Sequence, residues 1–107
     1  MAQWKETERQ VARRLGGQRV PITGRQRGDA PDVEHPLWSV EVKHRRVIPS
    51  WLHNAMAQAI AAVRDNQVAI VVLHEAGRLH DNDYVVVRMK DWVELWGEVS
   101  DADVQDV

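Results

Sequence analysis

Asp32, Glu41 and Lys43 are the residues of this chain whose types and spacing best suit chemistry. Asp32 stands in Pro31-Asp32-Val33. A short run with a turn at His35-Pro36 then leads to Val40-Glu41-Val42-Lys43. Two strands are expected here. Side chains alternate along a strand, so Glu41 and Lys43 leave one face, while Trp38, Val40 and Val42 leave the other and bury it. A face that presents Asp, Glu and Lys together packs poorly. It suits a hard divalent cation with a water made nucleophilic beside it. In-line attack of such a water breaks a phosphodiester. Mg²⁺ takes oxygen ligands, few of them from protein. Asp32 and Glu41 offer two carboxylates and the Val42 carbonyl a third oxygen. Lys43 is placed to orient the water and offset charge on the phosphate. The competing reading is a surface ion pair of Lys43 with Glu41 or Asp32 that does little.

A further acid precedes these. Residues 3–16 read as a helix, with Trp4, Glu8, Val11, Ala12 and Leu15 on one stripe and Gly16-Gly17 as the stop. Glu8 is the anomaly, an acid in line with residues that should face the core. Either it lies at the stripe's edge and pairs with an Arg three or four residues away, or it points toward Asp32 and Glu41. There it would complete a metal shell or hold a second ion.

The elements that must position these groups follow in order. Residues 19–23 are a short strand, with Pro21 marking an edge or an end. Residues 24–31 form a polar loop whose Arg25 and Arg27 can approach phosphates. Residues 32–34 begin a second strand, and a third runs from Leu37 or Trp38 to about Val47. Ser50 is the expected N-cap of a helix from Trp51 to about Asp65, with Gln58 a lone polar residue amid its apolar side. The apolar run 67–73 suits a strand buried on both faces. After a polar connection over 75–83 come a strand at 84–87 and a helix at 90–96. The order αβββαββα predicts the α/β class, with a mixed β-sheet flanked by helices. Residues 1–97 form the expected single domain, and 98–107 an acidic tail expected to be disordered.

The composition narrows the function classes. The chain has 107 residues, 44% of them hydrophobic, and five Trp, enough for one domain with one core. The Trp-rich stretches around Trp51 and at Trp92 and Trp96 suit either that core or a dimer surface. Without Cys there is no disulfide, thiolate nucleophile or cysteine-ligated zinc. The N-terminus has no apolar signal core and no run is long enough to span a bilayer, so a cytoplasmic protein without a membrane partner is expected. The net charge of −2 hides an asymmetry. Residues 1–64 hold eleven Lys/Arg against six Asp/Glu, leaving +5, and residues 65–107 hold three against ten, leaving −7. The basic half carries the carboxylate–lysine unit and can attract phosphates, although ordinary solvated charge explains it as well. No two of the five His have the i, i+4 spacing of a helical zinc site. No Gly-rich phosphate loop follows a strand, and no serine nucleophile elbow occurs.

Pro31-Asp32-Val33…Glu41-Val42-Lys43 resembles the PD-(D/E)XK nuclease motif, and the element order resembles the restriction-endonuclease-like core of that superfamily. Lys5-Glu6-Thr7-Glu8-Arg9-Gln10-Val11 is similar to the first helix of archaeal-type Holliday junction resolvases, and the compact size resembles phage-encoded or small replication-repair nucleases of the same superfamily. Thr23-Gly24 is similar to the Ser-Gly at that point in those resolvases. The resemblance spans about residues 4–96. It implies Glu8, Asp32, Glu41 and Lys43 as catalytic residues, with Gln58 similar to an accompanying helix Gln. It implies Glu8, Asp32, Glu41 and the Val42 carbonyl as ligands to Mg²⁺, with Mn²⁺ as substitute and no small-molecule cofactor. DNA contacts are expected from Arg9, Arg25, Arg27, His44, Arg45 and Arg46. The implied function is a homodimeric endonuclease that resolves four-way junctions in DNA recombination and repair. The alternatives are another nuclease of the superfamily, cutting flaps, ends or duplex, and an inert DNA-binding module of the same fold. The short length, the Thr in place of Ser and the acidic total depart from the resolvase pattern.

Overall fold

A computed structural model describes residues 3–21 and 30–97. Arg25, Arg27 and the acidic tail 98–107 lie outside the described residues. The elements are α1 (Gln3–Leu15), β1 (Gln18–Arg19), β2 (Val33–Glu34), β3 (Ser39–Val40), α2 (Ser50–Ala61), β4 (Ile70–Leu73), a 3₁₀ turn (His80–Asn82), β5 (Tyr84–Val87) and α3 (Met89–Trp96). The chain is a mixed α and β protein with the expected order of helices and strands. It divides into two compact units, Met1–Arg45 with Val93–Val107, and Arg46–Trp92.

The single mixed sheet expected from the sequence is not what the strands form. The described strands make two antiparallel sheets, β1-β2-β3 and β4-β5. In the first, Arg19 pairs with Val33 and Val33 with Val40. The third strand, expected to reach about Val47, ends at Val40. The reason is local: the Val42 N–H donates to the Asp32 side chain rather than to a neighbouring strand.

α1 lies against β1 and β2. Its buried residues are Glu8 and Ala12. Ala12 and the fully buried Val33 are the apolar centre of this unit. The helix stops as its glycines predict. Gly16 adopts a positive φ of 75°, its N–H bonds the Arg13 carbonyl, and the Gly17 N–H reaches back to Ala12 at 2.8 Å. That pairing is a Schellman closure. It turns the chain so tightly that a Cβ on Gly17 would collide with the Glu34 carbonyl and stand 2.8 Å from Val33 Cγ1.

In the second unit α2 lies against β4. Ser50 is its first helical residue rather than its cap; Pro49 precedes it, and the Pro49 carbonyl accepts from Leu52 and His53. β4 is not buried on both faces. Val71 and Leu73 are half-buried, whereas Ile70 and Val72 are exposed. Covering by one helix leaves an antiparallel ribbon with one open face, which an apolar run alone does not reveal.

Candidate functional site

The first unit gathers most of the predicted residues around one cleft of about 350 Å³. Trp4 and Glu8 reach it from α1, Asp32 from the residue before β2, and Glu41 to Arg45 from the segment after β3. These residues are scattered over forty positions, and backbone pairing explains how they meet.

Asp32 is the best anchored. Its N–H donates to the Val40 carbonyl at 2.8 Å and its carbonyl accepts from Val20 at 2.9 Å. It therefore sits between both neighbouring strands although it lies just outside β2. Its carboxylate Oδ2 accepts the Val42 N–H at 2.6 Å, a short charge-assisted bond. The side chain is buried with the residue only 3% exposed. The same bond pins the Glu41-Val42-Lys43 segment to Asp32, which makes the two halves of the motif one unit.

Glu41 and Lys43 are exposed and paired, with Lys43 Nζ 3.0 Å from a Glu41 carboxylate oxygen. An exposed pair of this kind contributes about 0–1 kcal/mol. Either group can therefore exchange its partner for a phosphate or a cation at small cost.

Glu8 is held differently. It is buried, and its Oε1 accepts from Arg19 Nε at 2.8 Å across the α1–β1 interface. Both side chains are largely buried, so removing one partner would cost about 3–5 kcal/mol. The expected pairing of Glu8 with an Arg three or four residues away does not form among the described residues; the i,i+3 pair of α1 joins Arg9 to Glu6 instead. Glu8 thus lines the cleft while bound to a basic residue eleven positions on.

The basic residues expected to contact DNA are distributed as follows. His44 and Arg45 line the cleft. His44 Nδ1 is 2.7 Å from Thr7 Oγ1, which ties the segment after β3 to α1. Arg9 is exposed on α1 and paired with Glu6. Arg46 and Gln58 belong to the second unit, both exposed, Gln58 on α2.

The donor set of the cleft fits a hard cation: three carboxylates and a backbone carbonyl, all oxygen. The three carboxylates are not drawn into one tight cluster. Among the described residues, the group of three whose ligand atoms lie within 4.8 Å of one another is His74, His80 and Asp83, in the second unit. Mg²⁺ tolerates the looser arrangement, because it keeps several waters and takes one or two carboxylates from protein.

Helical spacing does not reveal the histidine–aspartate group, because its members meet through hairpin register. A register count from β4 to β5 would have found part of it. Leu73 pairs with Tyr84, so His74 and Asp83 are the next positions facing each other.

No protein-family model matches the chain, and no curated protein or solved structure matches it significantly.

Proposed function

We propose that this protein is a metal-dependent DNA endonuclease of the PD-(D/E)XK type, with a restriction-endonuclease-like core, that hydrolyses phosphodiester bonds in branched DNA as a homodimer. The observation that carries the proposal is the cleft itself. Glu8, Asp32, Glu41 and Lys43, chosen from sequence for their chemistry, line one cavity beside His44 and Arg45.

The residues have separable roles. Asp32, rigidly placed by its backbone pairings and by the Val42 N–H on its carboxylate, would hold the divalent ion together with Glu41 and the Val42 carbonyl. When bound, Mg²⁺ or Mn²⁺ supplies charge neutralisation at the phosphate and a more acidic water. The Lys43 ammonium orients that water or offsets charge on the phosphate oxygens, moving away from Glu41 to do so. His44 and Arg45 carry the positive charge that holds the DNA backbone at the cleft. Arg19 is a positioning residue, fixing Glu8 at the cleft wall.

The test is incubation of the protein with a synthetic four-way junction, a flap and a linear duplex, each with Mg²⁺ or Mn²⁺. Cleavage of the junction in preference to the duplex is expected. Cleavage of flap or duplex alone would move the protein to another nuclease of the same type.

The engagement of Glu8 by Arg19 and the spread of the carboxylates favour one second reading, a DNA-binding module without turnover. Such a module would shift DNA in a gel and cut none of the three substrates.

A further inference from the structure

The geometry points to a second metal site, independent of the cleft, formed by His74, His80 and Asp83 and suited to a zinc-class divalent ion. Two features of the second unit create it. The β4–β5 ladder pairs Ile70 with Val87 and continues to Leu73 with Tyr84, so the residues just beyond, His74 and Asp83, face each other where the strands part. The chain between them closes with the 3₁₀ turn His80–Asn82, whose last bond joins the Asp83 N–H to the His80 carbonyl at 3.0 Å. In a 3₁₀ turn residues three apart are eclipsed. His80 is thereby set over Asp83.

The result is one carboxylate shared by two imidazoles. His74 Nδ1 lies 2.6 Å from Asp83 Oδ1, and His80 Nδ1 lies 3.0 Å from Asp83 Oδ2. The rings stack with centroids 4.2 Å apart. A ligand atom from each of the three lies within 4.8 Å of the others. In a tetrahedral shell with bonds near 2.0–2.1 Å, donor atoms stand about 3.3 Å apart. The two imidazole nitrogens, 2.6 and 3.0 Å from the Asp83 oxygens, need only move slightly away from that carboxylate to reach this spacing from it. Asp83 is mostly buried while His80 is largely exposed, so one donor is fixed and another can swing. His74 and Asp83 open on a cavity of about 170 Å³ that Glu75, Arg78 and Tyr84 also line. Arg78 is near Glu75 at 3.9 Å, which offsets its positive charge.

The donor types select the ion. Two imidazoles with one carboxylate suit zinc, cobalt or nickel, whereas Mg²⁺ prefers an all-oxygen set. Three protein ligands leave a fourth position for water or another donor. Bound there, the ion would lock the hairpin end in place of the present hydrogen bonds.

Calorimetric titration of the untagged full chain with Zn²⁺ tests this, using His80→Ala, Asp83→Asn and the double variant Asp32→Asn/Glu41→Gln. His80 is so exposed that its removal leaves the fold intact, which circular dichroism verifies. One zinc per chain is expected, at least about 100-fold weaker in His80→Ala and in Asp83→Asn and unchanged in Asp32→Asn/Glu41→Gln. In NMR spectra the ring signals of His74 and His80 should shift together on zinc addition while those of His35 stay fixed. The absence of zinc binding in the wild type, or binding that survives His80→Ala, would overturn the site.

Discussion

Glu8 is the residue at which stability and chemistry are hardest to separate, because it both lines the cleft and pairs with Arg19 inside the fold. Glu8→Gln keeps the shape and removes the charge. The cost to folding should be about 1–3 kcal/mol, since one buried charged partner loses its counter-charge but keeps an acceptor. If Glu8 also serves the cation, cleavage per folded molecule should fall by more than about 100-fold, beyond what loss of a supporting residue produces. Melting curves and cleavage rates measured well below the transition separate the two effects. An Arg19→Lys variant with intact Glu8 should lose stability and keep more activity. Asp32, Glu41 and Lys43 were legible in the sequence because two carboxylates and an amine so close together suit packing poorly, although all three lie just outside the strands that were expected to carry them. The Arg19 partner was not, since an ion pair between a helix and the following strand depends on how the two cross. The His74–His80–Asp83 group escaped for a related reason: its members meet through hairpin register, not through helical periodicity.

At the scale of elements, the junction of α1 with β1 determines whether Glu8 reaches the cleft at all. Gly17 has no room for a side chain beside Glu34 and Val33. Gly17→Ala should destabilise the protein by about 1–3 kcal/mol through overpacking, read as a lower unfolding midpoint in urea with little change in slope. The outer face of α1 carries a titrating pair as well. Hydrogen bonds from Gln10 and then Arg9 hold the Glu6 carboxyl below its ordinary 4.5. A lowered folded-state value means the Glu6 contribution is fully present above 4.5 and fades as pH falls through the lowered value. An NMR titration should place the Glu6 midpoint below that of a Gln10→Ala variant. Helix periodicity and the paired glycines made α1, α2 and α3 readable in the sequence. The strands were readable in order but not in extent. β3 ends early because a side chain takes the Val42 N–H, and β4 keeps an open face because α2 covers only one side. Neither fact leaves a trace in local composition.

At the scale of the whole molecule, the basic half of the chain carries the cleft and the acidic half carries the histidine–aspartate group. No helix among the described residues is long and apolar enough to cross a membrane. The proposed DNA substrate therefore rests on the local charge of residues 1–64 and on the cleft, not on the total of −2. If phosphate contacts at His44 and Arg45 supply binding, affinity for any DNA should fall with salt. The most direct test compares wild type with Glu41→Ala on a four-way junction with Mn²⁺ or Mg²⁺, because Glu41 is exposed and its loss spares the fold. Cleavage by the wild type that drops more than about 100-fold in Glu41→Ala, with equal melting temperatures, is the predicted result. A wild type that cuts no substrate, or a Glu41→Ala variant that cuts as well, would contradict it.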